Sequence, residues 1–418
     1  MNHPAKTTAR SPADWLRLAV GLFLTVSSAV LIALSFLLVF FGAVSLFLPG
    51  TTGASSLFLS DTEETLVMFL SAAGTFVLGL LLLPGAFLNF QAFFSFPVPR
   101  LLLPHQDNRL ALVILFMLWF LCVASGYALT FHQTLSLLLL PFLNTGAVLL
   151  SVVMVLIIAL QKLPLPSPRR AWSLFGVSAL LGPTLAIFFE LFAFLGFMVL
   201  FTAYVSSQPA LELSLHLLLD ELENEAGSLD FATQQMATLL LSPGVGLLLF
   251  GLLALMVPII EEAFKVSLLW GYAGKLRSPA EGFVAGVLCG AAFALVENIG
   301  FSSAGASDWL LNILTRSVTA LPHAFNSGLV GWGLVLAWQR RDYLRLGLAY
   351  LAAVLIHGTW NGLSFVLVLN SMAGLTAAEV YPLIETPLPA LAALFVLTFG
   401  IVPGLLLSNR QVRRQDGV

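Results

Sequence analysis

Six ionisable side chains lie within apolar stretches of the second half of the chain. They are Glu261, Glu262, Lys265, Glu297, His323 and His357, and Asn298, Asn326 and Asn361 accompany them. A charge at the centre of a lipid bilayer costs at least about 2.5–3.5 kcal/mol on insertion scales, so such side chains are candidates for function by default. We therefore expect the functional site to lie between residues 245 and 365.

Carboxylate and imidazole groups together can activate water in two ways. They are the usual ligands of a catalytic zinc ion, which keeps one coordination position open for water. A glutamate can instead act as a general base without a metal, while asparagine amides stabilise the oxyanion. Both alternatives predict hydrolysis inside a bilayer, and the first requires Zn²⁺ as a cofactor. The sequence contains no G-x-S-x-G, HExxH or phosphate-binding loop motif that would indicate another chemistry.

The segment VPIIEEAFK places two acids and one base on a single predicted helix. Lys265 follows Glu261 by four residues and Glu262 by three, so it lies one helical turn from both. One carboxylate can pair with Lys265 while the other faces a cavity. The alternative interpretation is a structural ion pair that holds helices together, and the polar groups on three further segments argue against it.

The acidic residue of the next segment follows a regular series of glycines. Gly282, Gly286 and Gly290 recur every four residues, which predicts a flat stripe for close helix packing. Asn298 continues this stripe, and Glu297 lies beside it. Packing explains the glycines but does not explain Glu297, so we expect this carboxylate to face the interior of the bundle.

Two later segments each carry a histidine and an asparagine on one helix face. His323 and Asn326 are three residues apart, and His357 and Asn361 are four apart. A single histidine in a membrane helix is usually a helix–helix contact. Two such pairs that accompany three acids favour a functional site instead.

The composition identifies the kind of fold that must hold these residues. Of the 418 residues, 59% are hydrophobic and only 9% are charged, whereas soluble proteins contain roughly 25% charged residues. This composition excludes a soluble enzyme, a disordered chain and a nucleic-acid-binding protein. It predicts an all-α, polytopic bundle of transmembrane helices.

Ten apolar segments are long enough to cross a bilayer, which takes about 20 residues each. They cover residues 18–48, 66–95, 110–131, 135–161, 172–204, 240–272, 282–301, 318–338, 346–370 and 388–408. If both termini are cytoplasmic, all lysines and arginines except Lys265 and Arg316 fall in cytoplasmic segments, Lys6 and Arg100 among them. The first segment is too long for a signal peptide, so we interpret it as a retained span. The chain is thus expected to be a multi-pass protein of the cell membrane.

These segments divide the chain into four predicted regions. Residues 1–206 form a five-span region, 207–238 an extracytoplasmic loop, 239–370 a catalytic core of four spans, and 371–418 the last span with a basic cytoplasmic tail. The loop has apolar residues at helical spacing, which predicts one or two amphipathic helices. It could be a substrate gate or docking surface, or a simple connector.

The four polar segments resemble the PrsW family of intramembrane proteases, which shares a superfamily with the CAAX prenyl endopeptidases and bacteriocin-processing enzymes. The matching motifs are EEAFK (261–265), FALVEN (293–298), His323 within PHAFNSG, and HGTWN (357–361). The CAAX branch has EExxxR and FxxxH patterns instead. The resemblance covers roughly residues 245–365.

The resemblance implies roles for individual residues. The implied catalytic residues are Glu261, Glu262, Lys265, Glu297, Asn298, His323, His357 and Asn361. The implied metal ligands are Glu262, Glu297, His323 and His357. The two consecutive glutamates would activate water, and Asn361 would assist the developing oxyanion. Glu190, the one acid within the first five spans, could face the site or pair with another helix.

The resulting functional prediction is an intramembrane endopeptidase whose substrate is a membrane-anchored protein, for example an anti-sigma factor. Because Glu297 and His323 lie near the predicted outer ends of their spans, we expect the cut near the extracytoplasmic side. Its partners would be this substrate and the lipid bilayer. An ion-coupled transporter and a non-catalytic scaffold of the same superfamily are the alternatives; the order of the four motifs favours the protease.

Overall fold

The computed structural model describes residues 10–47, 61–96, 109–223, 228–304, 309–373 and 386–416. Every regular element in these ranges is helical. The α-helices are α1 Pro12–Phe47, α2 Asp61–Phe94, α3 Arg109–Leu129, α4 Gln133–Ala159, α5 Pro168–Ser206, α6 Pro209–Glu223, α7 Leu229–Leu241, α8 Pro243–Gly251, α9 Val257–Lys265, α10 Pro279–Ala304, α11 Trp309–Arg340, α12 Tyr343–Ala373 and α13 Leu388–Asp416. The all-α prediction is confirmed. Lys6 and Arg100, which the topology prediction used, lie outside the described residues.

Nine of the ten predicted spans each coincide with one α-helix, and the sixth is divided among α8, α9 and the shorter helical segments between and after them. Among the described residues, nine helical stretches are long and apolar enough to cross a membrane. One of these stretches, Pro243–Tyr272, includes α8, α9 and the residues between and after them. The eighth predicted span, within α11, is not among the nine. This helix carries Arg316, His323 and Asn326 among its apolar residues. Its central turns are nonetheless buried, because α10 and α12 pack on either side of it.

The helix α10 lies at the centre of the bundle and contacts α2, α4, α5, α11 and α13. The predicted glycine stripe faces α11. A methyl group added at Gly286 would lie 2.0 Å from the carbonyl oxygen of Ser327, and one added at Gly290 would lie 2.2 Å from that of His323. The two backbones can approach this closely only because α10 has no side chains there, so the stripe sets the depth at which Glu297 meets His323.

The predicted amphipathic loop contains two helices, α6 and α7, which pack against each other and link α5 to α8. Ser228 caps α7 because its side chain accepts a hydrogen bond from the amide of Phe231.

The sixth predicted span is not a uniform α-helix. Between α8 and α9, residues Leu252–Met256 form one π-helical turn, and Val257 N–H donates to the carbonyl of Leu252. Pro258 follows at once and has no N–H to donate. Such π turns insert an extra residue into a helix and occur frequently at functional sites. Here the irregularity lies directly before Glu261.

Candidate active site

The base Lys265 is completely enclosed and joins the two acids of its own helix. Its Nζ donates to Glu262 Oε1 at 2.8 Å and lies 3.0 Å from Glu261 Oε2. The Lys265 Nζ also lies 4.7 Å from the centre of the Phe293 ring on α10. The predicted proximity of Lys265 to both acids is found, but Lys265 contacts both carboxylates rather than pairing with one of them. A charge at this depth is tolerable because two acids and an aromatic face surround it.

The carboxylate of Glu262 fixes the ring of His357 on α12. His357 Nδ1 lies 2.9 Å from Glu262 Oε1, which also accepts from Lys265 and, at 3.5 Å, from Asn326 Nδ2. With the proton of His357 on Nδ1, its Nε2 carries a lone pair, and this atom lies 3.8 Å from Glu261 Oε2. Glu262 therefore orients His357 from the Nδ1 side of the ring, whereas Glu261 lies on the Nε2 side.

Three residues from three helices form a second group. Glu261 on α9, Glu297 on α10 and His323 on α11 each offer an atom that could ligate a metal, and these atoms all lie within 4.8 Å of one another. His323 Nε2 is 3.0 Å from Glu297 Oε2. The rings of His323 and His357 are 5.3 Å apart, so the second histidine borders this group.

The set of possible ligands differs in part from the sequence-based prediction. That prediction used Glu262, Glu297, His323 and His357, whereas the close group of described residues contains Glu261 with Glu297 and His323. The physical reason is that one oxygen of Glu262 is occupied by Lys265 and His357. Consecutive residues on a helix point about 100° apart, so only one of the two glutamates can face this group.

Arg316 belongs to the site, although the sequence analysis treated it only as an extracytoplasmic charge. Its Nη1 donates to Glu297 Oε1 at 3.1 Å. One turn further along α11, Thr319 Oγ1 donates to Asn298 Oδ1 at 2.7 Å. The seven-residue separation of Arg316 from His323, two helical turns, was the available signal that both share a face.

The side chain of Asn361 contacts the π turn that precedes α9. Its Nδ2 donates at 3.1 Å to the carbonyl of Leu253, within the π turn. One turn earlier on α12, Gly358 packs so close to this turn that an added methyl would lie 2.3 Å from the carbonyl oxygen of Ala254. The HGTWN motif therefore fixes the segment before α9 as well as contributing His357.

Glu190 on α5 lies near the site. One of its oxygens is buried and has no hydrogen-bond partner among the described residues. Its carboxylate lies within electrostatic range of Glu261, Glu297 and Lys265. Of the two possibilities for this acid, the structure thus favours the one that faces the site.

Comparison with known proteins identifies a family for part of the chain. No curated protein and no solved structure matched the chain. A family model described as PrsW family intramembrane metalloprotease matches residues 191–397. The match begins one residue after Glu190 and includes all four helices α9–α12 that carry the site. Residues 191–397 are therefore a PrsW family intramembrane protease domain, carried by a multi-pass membrane protein.

Proposed function

We propose that the group formed by Glu261, Glu297 and His323 is the active site of an endopeptidase that cleaves a membrane-anchored protein. One observation carries the proposal, namely that three potential ligands from three helices converge within 4.8 Å inside the part of the chain that matches the family. Holding ionisable side chains inside a membrane costs free energy, so such groups usually have a function. Hydrolysis is a function that two carboxylates and an imidazole can serve.

The chemistry of the donors fits a zinc ion. Two carboxylates and one imidazole are ligand types found in catalytic zinc sites, which leave one position for water. In this proposal Glu261, Glu297 and His323 hold the metal, and Arg316 and Lys265 hold the two carboxylates in position. When bound, Zn²⁺ would polarise the scissile carbonyl and make water more acidic.

The remaining residues handle the proton of the attacking water. His357 Nε2 is available to accept it, because the ring donates its Nδ1 proton to Glu262. Without a metal, Glu261 would take the proton of the water instead. Its Oε2 lies 3.8 Å from His357 Nε2, so both groups border the same position. In the first route Glu262 acts through His357 and is a positioning residue.

The substrate and the side of the membrane follow from the predicted topology. With both termini cytoplasmic, Glu297 and His323 lie in the outer half of the bilayer. We therefore propose a membrane-anchored substrate, such as an anti-sigma factor, cut near its extracytoplasmic end in the cell membrane.

A cleavage assay in liposomes tests this function. The wild-type protein would be compared with Glu261→Gln, Glu297→Gln and His323→Ala on a single-span substrate, with and without a chelator. We expect each substitution to lower kcat/KM by about 10²–10⁴-fold, as for the loss of an acid–base group. The exposed His132, between α3 and α4, supplies a matched control, because His132→Ala should cleave normally.

The outcomes separate the alternatives. Loss of cleavage on chelation, with recovery on Zn²⁺ addition, supports the metal route, whereas resistance to the chelator supports the glutamate route. Equal cleavage by the wild type and all three variants would contradict the proposal. A cut mapped to the cytoplasmic end would contradict the predicted depth.

A further inference from the structure

An apolar cavity of about 270 Å³ lies among α2, α4, α5 and α10, and none of its lining residues belongs to the proposed active site. Every residue that lines it is apolar, including Leu149, Leu156, Trp172 and Leu288. Water gains no hydrogen bonds in such a space, so hydrocarbon is the natural occupant of an apolar cavity within a membrane protein.

A second, smaller cavity adjoins the first and has a different character. Its volume is about 70 Å³, it shares Leu165 with the larger cavity, and Arg170 and Glu281 contribute to its wall. Both cavities lie at the connection from α4 to α5, which the topology prediction places on the cytoplasmic side. A hydrocarbon space and a charged space thus meet at one predicted membrane surface.

Arg170 in the smaller cavity has free hydrogen-bonding capacity. Its Nε and Nη2 are buried and have no hydrogen-bond partner among the described residues, and its Nη1 lies 3.9 Å from Glu281 Oε2, beyond hydrogen-bond distance. The guanidinium lies 5.2 Å from the centre of the Tyr272 ring, and Lys275 Nζ lies 5.7 Å from the same ring. The preceding residue, Arg169, adds a third positive charge. Among the described residues that line this smaller cavity, Glu281 is the one acid.

We propose that the two cavities together bind an anionic phospholipid. One acyl chain occupies the larger cavity, and the phosphate accepts hydrogen bonds from Nε and Nη2 of Arg170. A guanidinium matches phosphate oxygens with two parallel hydrogen bonds, and basic pockets between transmembrane helices on the cytoplasmic side are recognised lipid sites. A free phosphate would leave the apolar cavity unfilled. In phosphatidylcholine the choline cation offsets the charge of the phosphate, so Arg170 and its neighbouring bases would attract this lipid less than an anionic one.

Native mass spectrometry of the delipidated, full-length protein in detergent tests the proposal. Phosphatidylglycerol, phosphatidylcholine and inorganic phosphate would be added separately. We expect phosphatidylglycerol to bind at least about fivefold more tightly than phosphatidylcholine, the preference that roughly 1 kcal/mol per basic residue gives. Arg170→Gln should abolish this preference, and Leu156→Trp should weaken binding of both lipids by filling the cavity.

Two further variants make the result decisive. Arg170→Lys keeps the positive charge but lacks the paired N–H donors of a guanidinium, so it should retain only part of the preference. Arg410→Gln, at an exposed position on α13, should leave the preference unchanged. Equal binding of the two lipids by the wild type would overturn the proposal. So would a preference that survives in Arg170→Gln, or inorganic phosphate that competes fully with phosphatidylglycerol. None of these outcomes depends on protease activity.

Discussion

The hydrogen bond from Asn361 to the carbonyl of Leu253 leads to a prediction that separates two roles for this asparagine. In the π turn, the amide of Val257 donates to Leu252 rather than to Leu253, and Pro258 has no amide hydrogen. The Leu253 carbonyl therefore receives its hydrogen bond from Asn361, at 3.1 Å. Asn361→Ala removes that donor.

The expected loss follows from the partly buried position of this hydrogen bond. An unsatisfied buried acceptor costs about 1–3 kcal/mol, and hydrogen bonds between membrane helices measure about 0.6 kcal/mol on average, with a maximum near 1.7. We therefore expect the π turn to lose about 1–2 kcal/mol of local stability. Glu261 follows Val257, the residue that caps this turn, by four residues. A displacement of about 1 Å at reacting groups can lower kcat about 10²-fold.

Hydrogen–deuterium exchange and steady-state cleavage measure the two consequences. Amides of residues 252–262 should exchange faster in Asn361→Ala, and kcat should fall with little change in KM. Asn312→Ala is the matched control, because Asn312 Nδ2 also donates to a backbone carbonyl, that of Phe301, at 2.9 Å. It should leave exchange of residues 252–262 unaltered.

A second substitution distinguishes support of the backbone from contact with the substrate. Pro258→Ala returns an amide hydrogen to the turn, so the double variant with Asn361→Ala should recover part of the exchange protection and of kcat. If exchange is unchanged while kcat falls, and Pro258→Ala restores nothing, Asn361 acts on the oxyanion and our reasoning is wrong.

Two other predictions concern the charges and the packing around the site. Lys265→Met should destabilise the protein by about 3–5 kcal/mol because it leaves buried carboxylates without their counter-charge. Adding Glu262→Gln to Lys265→Met removes one of these two carboxylate charges, so the double variant should regain part of the thermal stability in detergent but not the cleavage. Equal unfolding temperatures for the single and double variants would contradict this. Gly286→Ala should destabilise α10–α11 packing by about 1–3 kcal/mol, because the added methyl would lie 2.0 Å from the carbonyl oxygen of Ser327. Gly300→Ala on the same helix is the control, because a methyl group added at Gly300 has no neighbouring atom within 4 Å. Similar unfolding temperatures of the two variants would show that close packing at Gly286 is not needed.

The helices of this protein could be predicted because the apolar segments are long and the charges between them are few. The glycine stripe of α10 was also predictable, since a four-residue repeat of glycine has a direct meaning for helix packing. The pairing of Lys265 with the two glutamates follows from spacing on one helix. All of these are local features of the sequence.

The parts that could not be predicted depend on how separate helices are rotated against each other. Spacing along α9 cannot say whether Glu261 or Glu262 faces Glu297, because that depends on the rotation of α9 relative to α10. The π turn changes that rotation, and no sequence pattern distinguished it from a regular helix with a proline. The contact between Asn361 and Leu253 exists only because of that turn.

Isotope incorporation during cleavage tests the central claim most directly. Wild type and Glu261→Gln would be reconstituted in liposomes with a membrane-anchored substrate in H₂¹⁸O, and the products analysed by mass spectrometry. The account predicts that the wild type produces a new carboxyl terminus carrying one ¹⁸O from water, and that Glu261→Gln produces at least about 10²-fold less of it. Labelled product at the same rate from both proteins, or none from the wild type, would contradict the assignment of water activation to Glu261, Glu297 and His323.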